Sequence, residues 1–228
     1  MIVHAASGPQ NCLVVNDWVC PLYLQTRAEP LLAAVREHLY LTVVSVVLGA
    51  VLALPLAVLA HRVRRARALT LGVTTVLYTV PSIALFFLVV PMLGLSAATV
   101  ITGLTLYTLT ILVRNLLVGL DGVDAEVLDA ARGMGLSPGR MLWRVELPLA
   151  LPAAMAGLRV AAVSTVALTT VGAIIGYGGL GTVLVRGLSA NFHAEVLTAA
   201  VLCVLLALVL DVVLLLAQRA VTPWRRTA

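Results

Sequence analysis

The residues best suited to chemistry lie between Asp129 and Pro148, in the run DAARGMGLSPGRMLWRVELP. Asp129, Arg132, Arg140, Arg144 and Glu146 make it the one long polar interruption in a mostly apolar chain. Their types and spacing suit docking rather than catalysis. Asp129 and Arg132, three apart, can pair across one helical turn. Small Ala130 and Ala131 let another surface approach one helix face, and Gly135 permits a sharp turn. Gly133 and Gly135 end a first short helix. Ser137 then reads as an N-cap, with Pro138 at the first position of a second helix. That helix runs through Met141, Leu142 and Trp143 and is expected to stop near Pro148. The stretch is a helix, Gly turn, helix unit on the water side of a membrane, where it can dock into a partner.

Other reactive groups are scattered. His4, His38, His61 and His193 sit at the edges of apolar runs, with Arg36, Glu37 and His38 expected near the membrane surface. There is no HExxH, no pair of intramembrane aspartates and no GxSxG with a partnering His, so a membrane enzyme is disfavoured. No CxxC metal spacing occurs. Cys12 and Cys20, eight apart, either pair outside the cell or stay as free thiols; Cys203 reads as inert packing. Gly176, Gly178, Gly179 and Gly181 lack the GxxxxGK[ST] pattern of a nucleotide loop. They read as a flexible outer gate or receptor surface, or alternatively as close helix packing. Arg159 and Asp211 fall inside apolar runs, where an ionisable group needs a partner, water or an interface. Arg159 is expected to snorkel to headgroups, and Asp211 to pair with an Arg such as Arg219 or with another subunit.

The elements that hold these groups follow from composition. Hydrophobic residues make up 61% of the 228 and charged residues 11%, with mean hydropathy +1.09. Soluble domains run near ~45–50% apolar and ~25% charged, so this is an all-α integral membrane protein. Five spans are expected, at about 39–60, 69–90, 98–117, 149–175 and 196–217. The second holds Pro81-Ser82 and should be bent or broken, because a mid-span Pro removes a backbone hydrogen bond. Residues 1–38 form an N-terminal extracytoplasmic segment with an amphipathic lead-in at 31–38; they lack the basic start and apolar core of a signal peptide. Residues 39–219 form the transmembrane domain, with the polar loop at 118–148, and 220–228 form a tail.

All 15 basic residues are Arg. Ten of them (Arg62, Arg64, Arg65, Arg67, Arg132, Arg140, Arg144, Arg219, Arg225 and Arg226) fall on one side of the five-span arrangement, against Arg27, Arg36 and Arg186 on the other. The positive-inside rule then puts the loop and C-terminus in the cytoplasm and the N-terminus outside. The net charge of +5 reads as topology signal and anionic-lipid contact. It does not read as nucleic-acid binding, which would want a continuous basic face with aromatics.

The loop resembles the one shared by permease subunits of bacterial ABC importers: Glu-Ala-Ala, three residues, Gly, nine residues, Ile-x-Leu-Pro. Asp129-Ala130-Ala131, Gly135 and Val145-Glu146-Leu147-Pro148 match every spacing, with Asp for Glu and Val for Ile as departures. The resemblance implies the type I ABC importer permease fold and a bacterial cell membrane location. It makes Asp129, Ala130, Ala131, Arg132, Gly135, Val145, Leu147 and Pro148 the ATPase-coupling residues. It implies two ATP-binding subunits that hold the ATP and Mg, a second permease copy or paralogue, and an extracytoplasmic solute-binding protein. This chain itself would carry no cofactor. A stand-alone channel or scaffold would need no such loop.

Further runs resemble the branch for glycine betaine, carnitine, choline and proline betaine: residues 37–40, 79–85, 132–135, 146–152, 155–159, 178–181, and Asp211 with 219–223. An importer for another small solute, such as methionine, another amino acid or a sulfonate, is the alternative. Quaternary ammonium groups favour aromatic faces. Tyr78, Phe86, Phe87 and Tyr107 are therefore candidates for pathway lining, against lipid-facing or packing roles; the bend at Pro81 and Ser82 either lines the pathway or is a structural kink, and Gly178, Gly179 and Gly181 are the candidate gate.

Overall fold

The computed structural model describes residues 11–223. Residues 1–10 and 224–228, with His4, Arg225 and Arg226, lie outside the described residues. Every regular element among the described residues is helical. Four helices are long and apolar enough to cross a membrane, and a fifth span is a bent pair.

After two short helices, α1 (Cys12–Val15) and α2 (Pro21–Thr26), the first span is α3, Ala28–Arg62. Its 35 residues rise about 50 Å at ~1.5 Å each. The expected lead-in and first span are thus one helix, unbroken at Pro55. His38, expected at the surface, is instead fully buried. The partners that bury it come from the far end of the chain and leave no local trace.

The second span breaks as expected. Helices α4 (Arg64–Thr79) and α5 (Ser82–Leu93) meet at 101°. Pro81 disfavours the α conformation of the residue before it, and Val80 is extended at φ −65°, ψ 128°. Helix α6 (Ala97–Asp121) starts at Ser96, whose hydroxyl accepts from the Thr99 N–H. It is the most buried span and packs against α3, α4, α5 and α9 (Leu147–Thr169). Small residues set the approach, as is usual between membrane helices. A Cβ at Gly119 would lie 2.7 Å from the Ala150 carbonyl oxygen. The largest core cluster, with Ala53, Ala57, Leu112, Val113, Leu117 and Ala161, is where α3, α6 and α9 meet.

Between α6 and α9 lie α7 (Ala125–Gly133), α8 (Pro138–Met141) and a π-helical turn, Leu142–Glu146. Pro148 does not stop the second loop helix. Residues Pro138–Ile175 form one rod of 38 residues. The π turn makes this workable: the Leu147 N–H donates to Leu142 O, five residues back. The register step falls just before Pro148, in the first turn of α9, where its missing donor costs little. The rod ends in a 3-10 segment, Thr170–Ile175; α10 (Leu180–Ser189) and α11 (His193–Val221) complete the chain. Helix α11 is the least buried span.

Candidate coupling site and solute pathway

The loop hairpin is built from local signals. Asp124 caps α7 by accepting from the Glu126 N–H at 3.0 Å. Acidic Glu126 lies in its first turn and Arg132 in its last, both favourable to the helix dipole. Gly135, at φ +76°, closes the helix: its N–H donates to Arg132 O at 2.9 Å, and the Leu136 N–H reaches Ala131 O at 3.2 Å. This pair of bonds is the Schellman motif. Ser137 occupies the N-cap position of α8 and Pro138 the next, but the serine side chain makes no capping bond. Asp129 and Arg132 pair at 2.6 Å on an exposed face. Ala130 is exposed and Ala131 buried, so one alanine faces outward and its neighbour the hairpin interior. Two exposed apolar side chains, Met134 at 73% and Trp143 at 65%, add to the surface a partner would cover.

The hairpin base carries groups that sequence reasoning missed. Glu146 is 3% exposed. Its Oε2 lies 3.5 Å from His61 Nε2 and its Oε1 3.6 Å from Arg62 Nη2. Arg62 Nη2 also donates to Pro138 O at 2.9 Å. His61 Nδ1 lies 2.9 Å from Asp121 Oδ1, and Arg67 Nη2 lies 2.7 Å from Asp121 Oδ2. Glu146 occupies the variable position of the Ile-x-Leu-Pro pattern, so its spacing gave no signal; a carboxylate abutting an apolar span was the available clue.

At the opposite end the glycines are a packed joint. Gly178, Gly179 and Gly181 are all buried. A Cβ at Gly179, where φ is +52°, would lie 2.6 Å from the His38 backbone N, and Gly178 and Gly181 press on the backbones of Ala173 and Thr170. Of the two readings left open above, close packing is the one seen. His38 sits inside the joint, with Nε2 3.0 Å from Val166 O and Nδ1 3.2 Å from Gly178 O. Outside it, Cys12 and Cys20 are disulfide-bonded. The loop they close holds the α10–α11 turn: Asn16 donates to Asn191 O at 2.7 Å and accepts from the His193 N–H at 2.9 Å, and Trp18 stacks on His193 at 4.3 Å. Burial raises the pKa of the neighbouring Tyr23 phenol, which packs edge-on against Phe192.

The expected pathway residues divide. Tyr78 is half exposed and meets Tyr107 edge-to-face at 5.7 Å. Tyr107 is buried and donates to Val80 O, freed by the break at Pro81. Ser82 begins α5. Phe86 is 1% exposed, packed in the core over Gly103 rather than on a wall. Phe87 is exposed. Asp211 pairs with an Arg as expected, and that Arg is Arg159: its Nε and Nη2 each donate to an Asp211 oxygen at 2.8 Å. A bidentate guanidinium–carboxylate pair between α9 and α11 serves both charges better than separate exits to the headgroups.

The described residues form a helical bundle of four membrane-length helices and one bent pair, with a capped hairpin between α6 and α9. The chain belongs to the binding-protein-dependent transport system inner membrane component family, matched over residues 45–227. It is thus a permease subunit of an ABC importer, not an enzyme; the ATPase and the solute-binding protein are separate components of such systems. It is 33% identical over 201 residues to the choline transport system permease protein OpuBB of Bacillus subtilis, covering 88% of this chain and 93% of the relative. The glycine betaine/carnitine/choline transport system permease protein OpuCB of the same organism is 33% identical over the same shares. The osmoprotectant import permease protein OsmW of Salmonella typhimurium is 35% identical over 206 residues, 88% of this chain and 96% of the relative. In solved structures, a chain of the MetNI methionine ABC transporter in an inward-facing conformation superposes with a TM-score of 0.77 at 26% identity, covering 87% of this chain and 99% of that one.

Proposed function

We propose that this chain imports quaternary-amine osmoprotectants such as glycine betaine, carnitine, choline or proline betaine. The observation that carries the substrate class is the naming of relatives that match it along nearly their whole length. The Arg-rich end, with the hairpin and the C-terminus, lies in the cytoplasm and the Cys12–Cys20 loop outside. Residues 1–38 face outward, 39–219 form the transmembrane domain with its loop at 118–148, and 220–228 form the tail. Two ATPase subunits hold the ATP and Mg and dock on the hairpin through Asp129, Ala130, Ala131, Arg132 and Gly135. Val145, Leu147 and Pro148 carry the movement into α9. A second permease copy or paralogue completes the pathway, and the receptor delivers solute at the outer end near the Gly178–Gly181 joint.

Tyr78, half exposed at the break beside Pro81 and Ser82, offers an aromatic face to a passing quaternary ammonium, a contact worth about 0.5–2 kcal/mol, and the buried Tyr107 supports it edge-on. Phe86 is buried in the core over Gly103 and has no exposed face to offer. The test is uptake of radiolabelled betaine, choline and carnitine by the complex reconstituted with its ATPase and receptor. ATP-dependent uptake of at least one is expected. Uptake of none, with the ATPase bound and active, would sink the substrate class.

A further inference from the structure

We infer that Glu146 is a positioning residue that straps the coupling hairpin to the end of the first span, so that α3 as well as α9 receives the ATPase stroke. Glu146 ends the π turn between α8 and α9. Its carboxylate is buried and faces two side chains on one other element, the His61 imidazole and the Arg62 guanidinium at the end of α3. The hairpin is held at both of its ends from that same short stretch. Where it leaves α6, Asp121 is gripped by His61 and by Arg67. Where it enters the rod, Pro138 O and Glu146 are gripped by Arg62 and His61. His61 bridges the two carboxylates, so the entry and the exit of the hairpin share one side chain.

The pieces differ in tightness, and the difference has a direction. The Asp121 contacts, at 2.7 and 2.9 Å, are direct hydrogen-bonded pairs. The Glu146 contacts, at 3.5 and 3.6 Å, are looser, and Oε2 of this buried carboxylate accepts no hydrogen bond. A buried, charged acceptor left short of partners is costly. It gains most from a small displacement that closes the gap to His61 or Arg62. A π turn is the local structure that can take up such a displacement without breaking the rod. Asp121 is thus the tighter anchor and Glu146 the looser one.

The inference rests on the hairpin being the element the ATPase docks on, and the experiment separates the two. The permease, ATPase subunits and receptor are reconstituted together, and solute uptake and ATP hydrolysis are measured in the same vesicles. For Glu146→Gln, the ATPase still co-purifies and hydrolyses ATP on addition of loaded receptor. The number of solute molecules moved per ATP falls about tenfold, within the range of site-to-site coupling. Arg62→Gln, which changes a partly exposed side chain and leaves the buried carboxylate in place, gives a smaller fall in the same ratio. The double variant is no worse than Glu146→Gln alone, because both changes cut the same strap. An unchanged ratio in both single variants overturns the inference, and so does a parallel loss of hydrolysis and uptake. Failure of the wild-type chain to bind the ATPase overturns the docking reading instead.

Discussion

Gly135 is a position where backbone conformation, not contact, should set the phenotype. Its φ is +76°, and a Cβ built there would meet nothing within 4 Å. The cost of a side chain is therefore the left-handed backbone alone, about 1–2 kcal/mol for a non-glycine residue. Asn tolerates that region better than Ala, β-branched Val worse, and Pro cannot enter it because its ring fixes φ near ~−65°. Pro would also remove the N–H that donates to Arg132 O at 2.9 Å. The expected order of coupled uptake is Gly, Asn, Ala, Val, Pro. The Ala variant shifts the closed-hairpin equilibrium by a factor of about 5–30, and the Pro variant abolishes uptake while the subunit still inserts. Gly133 and Gly139 are controls, since neither has a positive φ and neither has a neighbour within 4 Å. Gly133→Ala, inside α7, should be neutral or mildly stabilising, as Ala is the better helix former by about 1 kcal/mol.

The assay is receptor-stimulated uptake in vesicles, with hydrogen exchange at the Gly135 and Leu136 amides reporting the two capping bonds directly. An order that follows side-chain size, with Asn worse than Ala, would refute the conformational argument. Gly135 would then be a close contact with the ATPase surface. Full activity in Gly135→Pro would remove the coupling role altogether.

Three further perturbations test other parts of the frame. Removing the Cys12–Cys20 bond, which closes a loop of sequence separation 8, should loosen the outer loop by about 2–3 kcal/mol on the chain-entropy account. Faster hydrogen exchange in residues 11–27, with the spans unaffected, is the expected result. Gly103→Val drives a side chain into the Phe86 ring. It should destabilise by about 1–3 kcal/mol and be partly relieved by Phe86→Leu, read as thermal stability of the purified subunit. Asp211→Asn leaves the Arg159 guanidinium short of its counter-charge and should lower membrane abundance. Replacing both Arg159 and Asp211 by Leu should restore more of it than either single change, because a broken pair is worse than none; immunoblots of membrane fractions decide.

What was legible in the chain is what nearest neighbours along it determine. Apolar runs of span length, the break at Pro81, the Gly135 turn and the Asp129–Arg132 pair each depend on residues within one or two turns, and each stands where the sequence put it. The remainder depends on contacts across the fold. Asp211 has Arg219 two turns away on its own helix, yet pairs with Arg159, which is 52 residues distant. His38 follows the rhythm of a surface residue until Val166 and Gly178, 128 and 140 residues away, enclose it. Phe86 reads as pathway lining or as packing until Gly103 supplies the hollow that buries it. Pro148 reads as a helix stop because a π register leaves no sequence pattern, and only the bond from Leu147 to Leu142 reveals it.

These long-range contacts tie the hairpin end of the bundle to its far end. Helices α3 and α9 are braced at two places: at the hairpin end through Glu146 with His61 and Arg62, and at the opposite end through His38 with Val166 and Gly178. The His38 contacts, at 3.0 and 3.2 Å, are the tighter of the two braces. The rod from Pro138 to Ile175 spans 38 residues, about 57 Å at ~1.5 Å per residue, so it joins the docking hairpin directly to the glycine joint. Between α4 and α5 the chain is extended at Val80 and Pro81. Val80 is the residue whose carbonyl Tyr107 holds. The break of the bent pair and the Tyr78–Tyr107 contact therefore coincide.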